Sequence, residues 1–157
     1  MKILGIDPGI ERLGWGIVEK KGNELKRVSS GVKKTLKTQN ESERLWEIFE
    51  FLDKLIKKER PATVSTERIF FAKNAKTAMA VGQARGVILA VASKHHLPFI
   101  EFTPPEVKMA VCGYGRANKD SIANMVKIQL NWDQNGCLDD EYDALALAIA
   151  ATNAARE

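Results

Sequence analysis

Three short β-prone segments follow one another at the start of this chain, and only afterwards do helical and strand-like segments alternate. That order constrains the fold most, because consecutive strands pair through tight turns whereas a strand reached through a helix joins its sheet in parallel. Lys2–Asp7, Leu13–Lys20 and Glu24–Lys33 form the first group, broken by Pro8-Gly9 and by Lys21-Gly22-Asn23, the second break being a hairpin signal. Asn40 and Glu43 make a capping box, and the stripe Leu45, Ile48, Phe49, Leu52, Leu55 and Ile56 predicts an amphipathic helix that ends before Pro61. Ala62–Glu67 then reads as a fourth strand, Asn74 to about His95 as a long helix, and Pro98–Phe102 as a fifth strand. Further helices are predicted near Pro105–Val111, Lys119–Leu130 and Asp140–Ala155. The expectation is an α/β fold, a five-stranded mixed sheet flanked by helices, as a single domain over residues 1–157 with no repeat or linker.

A chain of 157 residues with 45% hydrophobic content can form one core without a metal or disulfide staple. Cys112 and Cys137 match no spaced ligand set and are expected to be reduced thiols. No run reaches the ~18 to 20 apolar residues of a membrane span, so a cytoplasmic protein is expected. Lysine and arginine number 24 against 20 acidic residues, a net charge of +4 that suits a polyanionic partner without requiring one.

The chemical signal lies in four acids at points where one element gives way to the next: Asp7, Glu67, Asp140 and Asp143. Asp7 closes an apolar strand at a Pro-Gly turn, where open sheets place ligands, although an Asx-turn would use the same residues. Glu67 ends a β-prone run; if its strand neighbours the first, the two carboxylates share a hard divalent cation, and otherwise Glu67 is a surface partner of Arg68. Asp140 and Asp143 are three apart, hence on one helix face, and they also fit an ordinary acidic helix start with Asp140 as cap. Brought together, such carboxylates would repel by about 4 kcal/mol per pair at about 4 Å and an effective dielectric of about 20. A cluster of this kind calls for a divalent metal.

Other residues bear on binding. Phe70 and Phe71 cannot both enter one core from regular structure, and an exposed phenylalanine beside Lys73, Asn74 and Lys76 could stack on an unpaired base. Lys108, Arg116 and Lys119 around Gly113-Tyr114-Gly115 could grip phosphates, or be scattered solvated charges. Gly14 and Gly16 allow close approach, most simply by packing atoms. The small residues of the long helix, among them Gly82, Ala84, Gly86 and Ala92, allow another backbone near, from the sheet, another helix or a second subunit. His95-His96 is expected to cap a helix C-terminus.

The ordered set Ile6-Asp7-Pro8-Gly9, Gly14-Trp15-Gly16, Glu67 with Phe70-Phe71-Ala72-Lys73-Asn74, Gly82-Gln83-Ala84-Arg85-Gly86-Val87 and Asp140-x-x-Asp143-Ala144-Leu145-Ala146 resembles the RuvC family of bacterial Holliday-junction resolvases almost end to end. The resemblance implies a ribonuclease H-like fold and a homodimer that cuts four-way DNA junctions symmetrically with Mg²⁺ or Mn²⁺. It implies that Asp7, Glu67, Asp140 and Asp143 are the metal-binding carboxylates, that Phe70 lies next to the junction centre, and that Lys108 and Lys119 support DNA binding and cleavage. Some members carry histidine in place of the third carboxylate, where this chain has Asp140. The branch-migration proteins RuvA and RuvB are implied partners. The mechanism consistent with both readings is two-metal hydrolysis, with Asp7 shared between an ion held with Asp140 and Asp143 and one held with Glu67. Three other classes compete. An actin-like or sugar-kinase-like ATPase would need further glycine-rich loops that the sequence lacks, a related RNA nuclease would differ in substrate, and a non-catalytic junction-binding module would not need four acids.

Overall fold

The computed structural model describes residues 1–69, 75–132 and 137–154. The elements are β1 (Lys2–Asp7), β2 (Arg12–Lys21), β3 (Glu24–Lys34), α1 (Glu41–Glu59), β4 (Thr63–Glu67), α2 (Ala75–Lys94), β5 (Phe99–Phe102), α3 (Pro104–Cys112), α4 (Lys119–Gln129) and α5 (Asp139–Ala154). The strands lie in the order β3-β2-β1-β4-β5. β1, β2 and β3 pair antiparallel, while β4 joins β1 and β5 joins β4 in parallel. This is the mixed sheet that the order of segments predicts.

Side-chain alternation along the strands divides the interior in two. Leu4, Ile6, Leu13, Ile17 and Val64 meet Ile48, Leu52 and Ile56 of α1 and Ile88 and Val91 of α2. On the opposite face, Ile3 and Val18 meet α5 through Leu145 and Ile149, backed by Val107, Val111, Ile122 and Val126 of α3 and α4. Each of these side chains contributes about 1.5 to 3 kcal/mol by leaving water. β1 therefore has cover on both sides, which is why its sequence is a nearly unbroken apolar run.

The capping box is present. Asn40 Oδ1 accepts the Glu43 N–H at 2.9 Å, Glu43 Oε2 accepts the Asn40 N–H at 3.0 Å, and Arg60 in the left-handed region (φ 51°) ends α1. α5 begins at Asp139, with the carbonyl of Leu138 accepting the Glu141 N–H at 3.0 Å, so Asp140 lies within the first turn and is not its cap. His95-His96 stands at the C-terminus of α2 as expected, with His96 in the left-handed region (φ 55°) and its N–H donating to the Ser93 carbonyl at 3.0 Å; the His95 ring also reaches across to α1, Nε2 standing 2.7 Å from Asp53 Oδ1, and ties two helices together. In α2 the small residues serve different surroundings. Ala84 and Ala92 are buried, whereas a Cβ on Gly82 or Gly86 would meet nothing within 4 Å. Among the described residues no helix is long and apolar enough to cross a membrane.

Candidate active site

Strand periodicity aims two of the four acids. Ile3, Gly5 and Asp7 share the α5 face of β1, and on β4 Ser65 points the same way, its Oγ donating to the Leu147 carbonyl of α5 at 3.0 Å. Glu67, two residues beyond Ser65, takes that face as well. Asp7 and Glu67 each follow the last paired residues of β1 and β4, Ile6 and Thr66, on neighbouring parallel strands about 4.8 Å apart.

The other two acids are brought in by a seam without side chains. A Cβ on Gly14 would overlap the Asp140 carbonyl oxygen, one on Gly5 would overlap that of Ala144, and one on Gly16 would lie 2.7 Å from Leu145 Cδ2. The glycines of β1 and β2 thus let the first half of α5 lie on the sheet backbone, with Asp140 and Asp143 beside the strand ends. Packing is the reason for Gly14 and Gly16, as expected. Gly5 belongs to the same seam but is indistinguishable, in sequence, from a small residue in a buried strand. Glu141 is turned to the other side, where Ser30 Oγ donates to its Oε1 at 2.5 Å and anchors the helix start to β3.

Three of the carboxylates are displaced from their ordinary range. Burial, then the charges of Asp143, Asp140 and Glu67, push Asp7 up from 3.8 to about 7, with Lys119 opposing. Burial and Asp143 also raise Glu67, and burial raises Asp143, against Lys119 and with help from Asp139 and Asp140. Both site acids on α5 face a cation. Arg12 Nη2 lies 2.5 Å from Asp140 Oδ2, and Lys119 Nζ lies 3.9 Å from Asp143 Oδ2. The Arg12 contact lacks hydrogen-bond alignment, which leaves the buried Asp140 Oδ2 without a donor. Among the described residues no three acidic, histidine or cysteine side chains form a closed metal-binding set. Asp140 and Asp143 are instead turned to Arg12 and Lys119. An orphaned buried oxygen, an all-oxygen donor set and a raised Asp7 fit a hard divalent cation once those two side chains turn inward.

Two clefts flank the start of α5. One, of about 250 Å³, is lined by Glu67, Asp143, Lys108 and Lys119 with Val107 and Ile122. The other, of about 920 Å³, is lined by Asp7, Gly9, Arg12, Arg44, Gln83 and Asp140 among others. Lys108 and Lys119 therefore stand with the acids, whereas Arg116 is exposed in the loop between α3 and α4 and lines neither cleft. Phe70, Phe71, Lys73 and Asn74 fall outside the described residues, and Lys76 is placed only as a backbone position in the first turn of α2. Arg12 and Arg44 are the site residues that sequence reasoning missed. Nothing local marks Arg12, since its partner Asp140 comes from the other end of the chain, and the Arg44 side chain donates to Thr35 Oγ1 at 2.8 Å.

A family profile for crossover junction endodeoxyribonuclease RuvC matches residues 3–151. The chain belongs to the RuvC family. The RuvC of Natranaerobius thermophilus is 43% identical over 156 residues, covering 99% of this chain and 97% of that protein. The RuvC of Alkaliphilus metalliredigens is 47% identical over 149 residues, covering 95% and 91%. Among solved structures, T. thermophilus RuvC in complex with a Holliday junction substrate is similar with a TM-score of 0.91 and 32% identity over 97% of this chain and 93% of that one. The mixed sheet with its flanking helices is accordingly the ribonuclease H-like fold of RuvC, as the sequence resemblance implied.

Proposed function

We propose that this chain is a structure-selective endonuclease that resolves Holliday junctions in DNA recombination and repair by symmetric, metal-dependent phosphodiester hydrolysis. One observation carries the reading: Asp7, Glu67, Asp140 and Asp143 come from three separate elements to the start of α5, where burial first and then the charges of the other three raise the Asp7 pKa to about 7. The likeness to a relative solved with a Holliday junction supports the substrate class. Asp7, Asp140 and Asp143 would hold one Mg²⁺ and Asp7 with Glu67 a second, Mn²⁺ being the alternative ion; when bound, such ions activate water and stabilise the leaving 3′ oxygen. Asp7 orients both groups of ligands from its buried strand end. Lys119 and Lys108, in the cleft beside Glu67 and Asp143, neutralise the phosphate to be cut and hold it against the acids. Phe70, Phe71, Lys73, Asn74, Lys76 and Arg116 are the further DNA-contact residues of this reading.

The reading includes a homodimer acting in the cytoplasm as one nuclease domain per chain, with RuvA and RuvB as partners. The outer face of α2 supports self-association, since Met79 and Leu89 are 68% and 40% exposed beside the open Gly82 and Gly86. Two-fold pairing would set two sites against two strands of one junction. The test is incubation with a synthetic four-way junction in Mg²⁺, in Mn²⁺ and in chelator, mapping nicks on all four strands. Paired symmetric nicks that require the ion are expected. Equal cutting of linear duplex, or cutting in chelator, would refute the reading.

A further inference from the structure

Arg12 opens β2 after the Pro8-Gly9 turn, and its guanidinium rests against the first turn of α5, 2.5 Å from Asp140 Oδ2. A helix N-terminus carries partial positive charge and favours anions, so a cation placed there gains nothing from the helix itself. Arg12 is therefore held by the carboxylate. Its hold is by charge alone, because Asp140 Oδ2 has no aligned donor. The Arg12 side chain is 45% exposed on the wall of the larger cleft and has space to leave. Of the other acids on that wall, Glu11 is engaged by Lys37 at 3.1 Å and Glu41 by Gln83 at 2.7 Å, while buried Asp7 has acids as its main charged neighbours. Asp140 alone among them turns to Arg12, and it is the acid whose oxygen lacks a donor.

We propose that Arg12 is the resident counter-ion of the carboxylate site, a positioning residue that occupies Asp140 and that a divalent ion must displace. The inference rests on Asp140 being a metal ligand, as in the proposed function. Arg12 then sets the threshold of ion concentration at which the site loads. Without it, Asp140 is free to turn toward Asp7, and the ion meets one positive charge fewer.

The measurement is Mn²⁺ affinity without DNA, read as the loss of the free-ion electron paramagnetic resonance signal, for the wild type, R12Q, R12K, D140N and the R12Q/D140N double variant. R12Q is expected to bind roughly three- to tenfold more tightly, as removal of a half-exposed cation facing a divalent ion gives. R12K, which keeps the charge, should return toward wild type, and the gain of R12Q should shrink when Asp140 is also changed, leaving only the relief of charge repulsion. Equal or weaker binding by R12Q overturns the inference, as does an undiminished gain in the double variant. If D140N itself leaves Mn²⁺ affinity unchanged, Asp140 is no ligand and the proposed metal site fails as well. If D140N weakens binding while R12Q does nothing, only the role of Arg12 falls.

Discussion

Two acidic centres lie on opposite faces of the sheet, and the chain treats them in opposite ways. Asp53 of α1 accepts Lys57 Nζ at 2.7 Å and Lys94 Nζ at 2.9 Å and meets the His95 ring at 2.7 Å, contacts that hold its carboxyl well below the usual carboxylate range. Asp7, on the α5 side, is pushed up to about 7 by burial first and then by three other acids, its main charged neighbours. Burial alone thus says little about function. At Asp53 the chain completes the charge balance itself, so the carboxylate serves to join α1 to α2. At Asp7 the balance is left to be completed from outside.

The strongest way to break this contrast is to remove the charge that lacks a partner. Asp7→Asn should leave the protein folded and junction binding intact while lowering cleavage by about a thousandfold, equivalent to several kcal/mol of transition-state charge stabilisation. Normal nicking of a four-way junction by that variant would end the carboxylate model. A second change attacks the placement of the site without altering its charge. Gly14→Ala puts a methyl group onto the Asp140 carbonyl and should cost about 1 to 3 kcal/mol in denaturant unfolding, with loss of cleavage, as overpacking does. Unchanged stability would mean that α5 is not seated on the glycines.

Asp53→Asn should do the reverse of Asp7→Asn: a lower melting temperature with cleavage per folded molecule preserved. A selective loss of cleavage would dissolve the distinction between the two centres. The smallest effect is in pH. Because the folded-state pKa of Asp7 is raised, its contribution to the stability of the metal-free protein is full below about pH 4 and is lost as pH rises through about 7. Asp53, depressed, contributes above the ordinary carboxylate range and loses that contribution as pH falls through its lowered value. Stability against unfolding in chelator should therefore fall from pH 5 to 8 in the wild type and much less in Asp7→Asn; identical profiles would argue against the raised Asp7.

Local signals made much of this legible. The hairpin, the capping box at Asn40 and the alternation of β1 follow from chemistry within a few residues, and the predicted elements match the observed ones to within one or two positions. The meeting of the acids was not legible in the same way. It depends on β4 pairing in parallel with β1 and on α5 crossing Gly5, Gly14 and Gly16, contacts that link residues more than 50 positions apart. The stripe of small residues in α2 could not be sorted in advance, because Ala84 and Gly86 differ in surroundings and hardly in composition. Arg12 escaped for a related reason: one arginine at a strand start in a basic chain looks solvated until the helix that carries Asp140 is laid beside it.

The bare seam under α5 also bears on how this protein tolerates change. Gly5 and Gly14 fix how far Asp140 and Asp143 stand from Asp7 by main-chain contact, which no rotamer can adjust, and Gly16 makes room for the Leu145 side chain in the same seam. A mutagenesis library scored for resolution should find these three positions as intolerant as the acids themselves, and an effort to alter ion preference would have to work through the acids and leave the seam alone.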